Sequence, residues 1–260
     1  MQSTKAMDDI LAALAAQNAE LDGLIGGLDE AGWALPSRCP GWSIADVVLH
    51  VAQTNEAAVA SAQGRAKGVS AVFADAARNA PPGATVDDMA ALVVAAQRGS
   101  SGQEVCERWR ASAAAQSEAL AACEPGARLP WAVGDLSAVT LATTRLAENW
   151  IHTGDVAAAL GRDQTPGPHL KPIARLAWRT LPYAFARSGQ KLSGPVALSL
   201  TAPDGSTWDF TPDEPAATTV TGPALDFCLI AARRLEPSDT ALTATGPDAT
   251  AVLGLVRTFA

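Results

Sequence analysis

The sequence predicts a mainly α-helical protein that ends in a small α+β unit. Over most of the first 190 residues, apolar side chains recur every three or four positions, which is the spacing of a helix face, and alanine is abundant. Beyond residue 193 the pattern changes to short alternating stretches that are separated by turn signals. We therefore expect a helical domain over residues 1–190 and a small α+β domain over residues 191–260.

The helical part is expected to contain six helices. The first covers residues 8–28, where leucine and isoleucine lie at spacings of three, four and seven. The second begins at Ser43, with Asp46 at the third position of a capping box, and runs to about residue 62. A single helical turn is expected over 71–77. The remaining helices cover residues 86–96, 103–122, 137–160 (ended by Gly161) and 172–188.

The carboxyl-terminal part is expected to alternate strands and helices. Residues 196–201 and 207–211 alternate apolar and polar side chains on either side of a Pro-Asp-Gly turn, which predicts a β-hairpin. The rest is a strand over 218–221, a helix over 223–235, a strand over 241–245 and a last helix over 248–259.

Composition excludes several classes of function. The formal net charge of -8 and the lack of a basic run argue against binding of nucleic acid. The sequence contains no stretch of about 18 uncharged apolar residues, which a membrane span would require. The amino terminus lacks the pattern of a signal peptide. The four cysteines lack zinc-knuckle or disulfide spacing and indicate reduced thiols. We expect a cytoplasmic protein, a monomer or a homodimer, that acts on a small molecule.

Three residues of the helical part are candidate metal ligands. Glu148 and His152 are four residues apart and so share one helix face, where both can bind one small cation. His50 could supply a third ligand. Two imidazoles and one carboxylate, with positions left open, are typical of a catalytic rather than a structural metal site. Two alternatives remain: Glu148 and His152 on a solvated helix face, and His50 as a hydrogen-bonded core histidine.

Three separated segments resemble a known family. The segments are Pro40-Gly-Trp42-Ser-Ile-Ala-Asp46-Val-Val-Leu-His50, Thr144-Arg145-Leu-Ala-Glu148-Asn-Trp150-Ile-His152-Thr-Gly-Asp155, and a tail with Gly222-Pro-Ala-Leu-Asp226-Phe-Cys, Arg233-Arg234 and Asp239-Thr-Ala-Leu. They are similar to the DinB-like superfamily, in its branch of mycothiol-dependent maleylpyruvate isomerases, and most of all to an actinobacterial metal-binding subfamily with no assigned reaction.

This resemblance implies an antiparallel four-helix bundle that holds a divalent metal, usually zinc. By the match of the motifs, the ligands would be His50, Glu148 and His152. Asp155 looks like a residue that orients a ligand histidine, although it could equally be a solvated helix residue.

The resemblance also suggests residues for substrate and cofactor. Arg145 could hold a substrate carboxylate, or else pair with an acidic neighbour on its own helix. In the isomerase branch the carboxyl-terminal domain helps to form the active-site cleft, and Arg233 matches the arginine that contributes there, with Arg234 as a rival. Both could instead lie at the end of a helix because cations suit its dipole. Apart from the resemblance, Trp42 and Trp150 lie beside the candidate ligands in sequence and could line an apolar pocket for the cofactor, or else belong to the core.

The expected function is therefore that of a metal-dependent enzyme. We expect no cysteine beside a ligand motif, and we therefore expect any reactive thiol to come from a small molecule such as mycothiol. Such a thiol, bound by the metal, would add to an unsaturated or electrophilic compound and give an isomerase or a thiol S-transferase. The alternatives are a metal-dependent hydrolase or lyase that needs no thiol, and a metal-binding protein without catalysis.

Overall fold

The protein is described from a computed structural model, which covers residues 2–65, 74, 78–131 and 134–258. The chain divides into two compact units, Met1–Gln164 and Thr165–Ala260. The helical turn expected over 71–77 lies, apart from residue 74, outside the described residues. Among the described residues, no helix combines the length and the apolar character that crossing a bilayer requires.

The first unit is helical. Four long helices form a ring in which α1 and α3 each pack against both α5 and α6, so the predicted helical bundle is confirmed. A short two-stranded ribbon, β1 and β2, precedes α6. The elements are α1 Gln2–Ile25, α2 Glu30–Trp33, α3 Ile44–Ala62, α4 Val86–Ala95, α5 Gly102–Ala121, β1 Arg128–Leu129, β2 Leu136–Ser137 and α6 Ala138–Ala159.

Helix α3 begins at the capping box that the sequence predicts. The hydroxyl of Ser43 accepts a hydrogen bond from the backbone N–H of Asp46 at 3.2 Å, and the Asp46 carboxylate accepts one from the N–H of Ser43 at 2.9 Å. These bonds satisfy donors that a helix start would otherwise leave unpaired, and they fix the first turn of α3. His50, in the second turn of α3, therefore lies close to a fixed helix end.

Helix α3 is the central helix of this unit, because its own side chains are buried in several directions around the helix axis. Val47, Val48, Leu49 and Val51 are all buried, although consecutive positions on a helix point in different directions. Burial of each such side chain stabilises the fold by about 1.5–3 kcal/mol. His50 lies within this run, so the packing of its neighbours places the imidazole inside the bundle.

The second unit combines helices with a four-stranded sheet. The strands lie in the order β4-β3-β5-β6, in which β3 and β5 are parallel and the other pairs are antiparallel. The predicted hairpin over 196–211 corresponds to β3 and β4. The elements are α7 Leu170–Arg179, α8 Leu181–Arg187, β3 Val196–Thr201, β4 Thr207–Phe210, β5 Thr218–Pro223, α9 Ala224–Ala231, a 3-10 turn Pro237–Asp239, β6 Thr243–Thr245 and α10 Ala249–Leu255.

The two compact units meet in sequence between Gln164 and Thr165, before α7, whereas the boundary predicted from helical periodicity lies at residue 190. Helix α7 packs on α9 and contacts β4, and the indole N–H of Trp178 donates to the carbonyl of Val196 at 2.7 Å. Because the apolar face of α7 is buried against these elements, α7 and α8 group with the sheet. A helical periodicity alone does not reveal which partner a helix packs against.

Candidate metal centre

The three predicted ligand residues converge between α3 and α6. His50 lies in the second turn of α3, and Glu148 and His152 lie one turn apart on α6, which packs against α3. Oε1 of Glu148 is 2.8 Å from Nε2 of His50 and 3.5 Å from Nε2 of His152. Ligand atoms of the three side chains all lie within 4.8 Å of one another. The structure thus brings the three donors to one point, and metal binding there stays a prediction.

All three side chains are buried. His50 is 8% exposed, and Glu148 and His152 are each 6% exposed. The polar stripe of α6 therefore faces the interior of the bundle and not solvent, which removes the solvated-face alternative. Buried ionisable groups are costly unless they are paired or bind a cation, and here each one contacts another.

Asp155 fixes the orientation of the His152 ring. Its Oδ2 atom lies 3.0 Å from Nδ1 of His152, and the Asp155 side chain is fully buried. Because a carboxylate only accepts hydrogen bonds, Nδ1 carries the proton in this contact. The Nε2 atom of His152 then turns towards Glu148 and His50, as a metal-ligating imidazole would.

The charges of the cluster are strongly perturbed. Burial acts to raise the pKa of Glu148, but hydrogen bonds from the two histidines outweigh it and hold this pKa well below its usual range. Burial likewise acts to lower the pKa of His152, but its hydrogen bonds, above all that to Asp155, hold it well above its usual range. Burial lowers the pKa of His50. The site without a metal thus holds an anionic carboxylate between the neutral ring of His50 and the protonated ring of His152.

Arg145 lies one turn before Glu148 and is also buried. Its Nη2 atom is 3.9 Å from Oε2 of Glu148, which is too long for a hydrogen bond. Its guanidinium lies 5.0 Å from the ring centre of Trp131. Within the described part of the chain, its Nε atom is buried without a hydrogen-bond partner. A buried donor of this kind is unfavourable, so Arg145 is suited to receive an anion.

The sequence predicts Trp42 and Trp150 near the site, and in the structure the two have different surroundings. The partly buried ring of Trp42 packs on the ring of His50, with centroids 5.1 Å apart. Trp150 is 2% exposed and belongs to the buried interior. Trp131, which contacts Arg145, was not singled out from the sequence, because it follows Pro130 in a loop that shows no periodic pattern.

Cys39 corrects one expectation. The expectation that no cysteine adjoins a ligand motif is wrong for Cys39, whose Sγ atom lies 3.2 Å from Oδ2 of Asp155 and 4.0 Å from Nδ1 of His152. The loop before α3 brings the thiol back onto α6. The available signal was that Cys39 directly precedes the Pro40-Gly-Trp42 segment of the resemblance.

Arg233 and Arg234 end helix α9 in the second unit. The N–H of Arg233 donates to the carbonyl of Ile230 at 3.0 Å, and the N–H of Arg234 donates to that of Leu229 at 2.9 Å. This is a Schellman motif, in which Arg233 takes the left-handed position that glycine usually occupies, with φ of 58°. The structure thus confirms that both arginines lie at the end of a helix, and the role of Arg233 towards substrate stays a prediction.

Comparison with solved structures supports the fold. The crystal structure of the mycothiol-dependent maleylpyruvate isomerase aligns with a TM-score of 0.57, and that of a histidine-to-alanine mutant of this enzyme with a TM-score of 0.60. Both share 18% sequence identity with the protein, and each alignment covers 92% of both chains. At this identity the likeness concerns the fold.

Comparison with protein sequences identifies the family. Two uncharacterized proteins of Mycobacterium tuberculosis, MT0041 of strain CDC 1551 / Oshkosh and Rv0036c of strain H37Rv, are each 35% identical over 96% of this chain and 95% of their own. A family described as "Mycothiol maleylpyruvate isomerase N-terminal domain" matches residues 14–157, and one described as "MDMPI C-terminal domain" matches residues 170–252. With both domains matched in order along nearly the whole chain, the protein belongs to the mycothiol maleylpyruvate isomerase family.

Proposed function

We propose that the protein is a metal-dependent enzyme in which the thiolate of a small thiol, mycothiol in the first instance, adds to an unsaturated or electrophilic small molecule. The observation that carries this proposal is the convergence of His50, Glu148 and His152 on one point inside the bundle. Membership of the family supports the thiol, and the buried cluster supports the metal.

The donor set fits a divalent cation, and zinc suits it best. Imidazole nitrogen is a borderline donor and carboxylate oxygen a hard one; zinc accepts both, and three protein ligands leave a position for an exogenous group. The Asp155 contact already sets His152 in the tautomer that a metal needs. A bound zinc ion would supply Lewis acidity and lower the pKa of a coordinated thiol.

The reaction class follows from thiol chemistry. The sulfur of the thiolate forms a bond to one carbon of an activated double bond, whose π electrons move to the adjacent electron-withdrawing group. Rotation about the carbon–carbon bond that was double, followed by expulsion of the thiolate, re-forms the double bond in the other geometry and returns the thiol. If the adduct is protonated and the thiol retained, the product is a thioether. The two outcomes correspond to an isomerase and to an S-transferase.

Arg145 is proposed to bind the negative charge that the substrate carries or develops. Its guanidinium lies 5.0 Å from the ring of Trp131, and its buried Nε atom has no hydrogen-bond partner among the described residues. An electron-withdrawing carboxylate or carbonyl of the substrate would supply that partner. The same interaction would stabilise charge that moves away from the attacked carbon.

Three further residues have proposed roles near the reacting groups. Trp42, which packs on His50, is assigned to an apolar wall beside the ligands. Trp150, which is 2% exposed, is likewise assigned to the apolar wall for the cofactor, and Arg233 to binding of an anionic part of the substrate or the thiol. None of the three assignments is needed for the metal centre itself.

The proposal is tested by turnover of the zinc-loaded protein. We would supply mycothiol with maleylpyruvate, or with a panel of reactive electrophiles, and follow the loss of ultraviolet absorbance of the conjugated substrate. Isomerisation or thioether formation that depends on both zinc and thiol is the expected result. Turnover that persists without any thiol would favour a hydrolase or lyase, and bound zinc without turnover of any substrate would favour a non-catalytic metal protein.

A further inference from the structure

We propose that Cys39 is a positioning residue of the metal centre, which acts through Asp155 to fix the imidazole of His152. This role rests on the proposed metal centre, but not on the thiol chemistry assigned to it. In sequence, Cys39 is more than a hundred residues away from Asp155 and His152, the two residues that its thiol contacts.

The loop that carries Cys39 is held firmly by its own hydrogen bonds. The hydroxyl of Ser37 accepts from the N–H of Cys39 at 3.1 Å and donates to the carbonyl of Trp42 at 2.9 Å. The N–H of Trp42 in turn donates to the carbonyl of Cys39 at 3.0 Å, and Gly41 takes the left-handed φ of 76° that this turn requires. The thiol is thus presented from a closed turn and not from a loose connection.

The thiol meets Asp155 at the atom that also contacts His152. Oδ2 of Asp155 lies 3.2 Å from Sγ of Cys39 and 3.0 Å from Nδ1 of His152. A carboxylate only accepts, so both neighbours donate to this oxygen. His152 and Asp155 belong to one helix, whereas Cys39 reaches Asp155 from a different element. Two donors from separate elements restrict rotation of the carboxylate and, with it, the ring of His152.

A role for Cys39 as a direct ligand is the competing reading. Atoms of Cys39, His152 and Asp155 also lie within 4.8 Å of one another. However, the thiol lies 4.0 Å from Nδ1 of His152, whereas Nε2 of the same ring points to Glu148. The two nitrogens of an imidazole point in diverging directions. The thiol therefore lies on the far side of the ring from the point where His50, Glu148 and His152 converge.

The test measures binding of cobalt(II), which substitutes for zinc and is visible in its absorption spectrum. The full chain would be compared with Cys39→Ala and Cys39→Ser. Cys123→Ala is the matched control, because Cys123 is also partly buried and its thiol contacts backbone carbonyls of Ala119 and Ala62. Thermal unfolding of each metal-free variant would report whether the fold is intact.

We expect Cys39→Ala to weaken cobalt binding by roughly 10-fold or more, which is the range for loss of a residue that orients a ligand. Cys39→Ser keeps a donor for Asp155 and should recover most of the affinity, and Cys123→Ala should not change it. If Cys39→Ala does not fold, Cys39→Ser alone decides: affinity close to that of the full chain, with an unchanged cobalt spectrum, is expected.

Three results would overturn the proposal, each in a different way. Unchanged affinity in a folded Cys39→Ala would show that the thiol does not orient the site. A thiolate-to-cobalt absorption band that disappears in both Cys39 variants would show that Cys39 is a ligand. No uptake of cobalt by the unsubstituted protein would refute the metal centre itself. Normal cobalt binding with no thiol-dependent turnover would refute the proposed reaction and leave the role of Cys39 standing.

Discussion

The Nε2 atom of His50 lies 2.8 Å from the Oε1 atom of Glu148, across the contact between α3 and α6. The two residues are 98 positions apart in sequence, and both are buried. In the metal-free protein this contact is a hydrogen bond in which Nε2 donates, because the carboxylate only accepts. A cation that binds there replaces the proton and joins the two helices directly. Binding of metal and stability of the bundle are therefore expected to be linked.

Removal of one ligand should abolish tight zinc binding. His50→Ala leaves two protein ligands, and we expect its zinc affinity to fall by more than the roughly 10- to 100-fold that follows loss of an orienting residue. The chain contains three histidines, so His169→Ala, which changes a histidine of the second unit, is the matched control. The metal content of the purified proteins, measured by mass spectrometry, and calorimetric titration provide the check. Equal zinc occupancy in His50→Ala and His169→Ala would refute the proposed ligand set.

The stability of the metal-free protein should fall as the pH rises above neutrality. The pKa of His152 in the folded protein lies well above its ordinary value of 6.5, because its hydrogen bonds favour the protonated ring. Its contribution to stability is thus fully present below pH 6.5 and is lost as the pH rises through the folded pKa. Zinc must displace the proton on the Nε2 atom of His152, so zinc affinity should rise as the pH rises over the same range. Thermal unfolding with and without a chelator, as a function of pH, measures both effects.

The control for this pH dependence is Asp155→Asn. An amide oxygen accepts a weaker hydrogen bond than a carboxylate does, so the pKa of His152 in this variant should lie closer to its ordinary value. The loss of stability in the metal-free variant should then begin at a lower pH. A pH profile that is the same in both proteins would mean that the Asp155 contact does not set the protonation of His152.

The ligand residues could be predicted from the sequence, because helical spacing and the resemblance both point to them. Glu148 and His152 are one turn apart whatever the tertiary structure is. Whether they face solvent or the interior could not be predicted, since a polar stripe that faces the interior of a bundle has the same periodicity as one that faces water. The packing of α6 against α3 decides this point.

The contacts made by loops could not be predicted. Cys39 reaches Asp155 only because the turn before α3 closes on itself, and Trp131 reaches Arg145 from a loop without a regular pattern. Local propensity says little about where such loops pass. The grouping of α7 with the sheet is a related case, because the periodicity of a helix defines its apolar face but not the surface that covers it.

Arg145→Met should impair use of an anionic substrate without loss of metal. Arg145 is buried, makes no hydrogen bond to Glu148 at 3.9 Å, and carries an Nε atom with no partner in the described part of the chain. An apolar side chain of similar length removes this unfavourable burial but also the attraction between Arg145 and Glu148, so stability should change little. We expect KM for a carboxylate substrate to rise by roughly 10-fold or more, as for the loss of a charged hydrogen bond of about 1.5–3 kcal/mol.

The control for Arg145 is Arg108→Met in α5, where the guanidinium makes an ion pair with Glu56 at 2.7 Å on the surface of the bundle. This variant should leave KM unchanged. Zinc content, KM and kcat of both variants would be measured together. A fall in zinc occupancy of Arg145→Met, with KM unaltered, would assign Arg145 to support of Glu148 instead of substrate.

Arg233→Gly should stabilise the second unit and lower activity at the same time. Arg233 holds φ of 58° at the left-handed position of the Schellman motif that ends α9, where glycine is the usual residue and any other costs about 1 kcal/mol or more. A structure that keeps an arginine at this position is strained there, and strain of this kind is common where a side chain serves binding. Arg234→Gly, one residue further on, relieves no left-handed strain and should not stabilise the protein. Chemical denaturation and thiol-dependent turnover of the two variants separate the effects. A stabilised and fully active Arg233→Gly would show that the arginine has no part in the reaction. A destabilised Arg233→Gly would show that the packing of the side chain contributes more to stability than its backbone conformation costs.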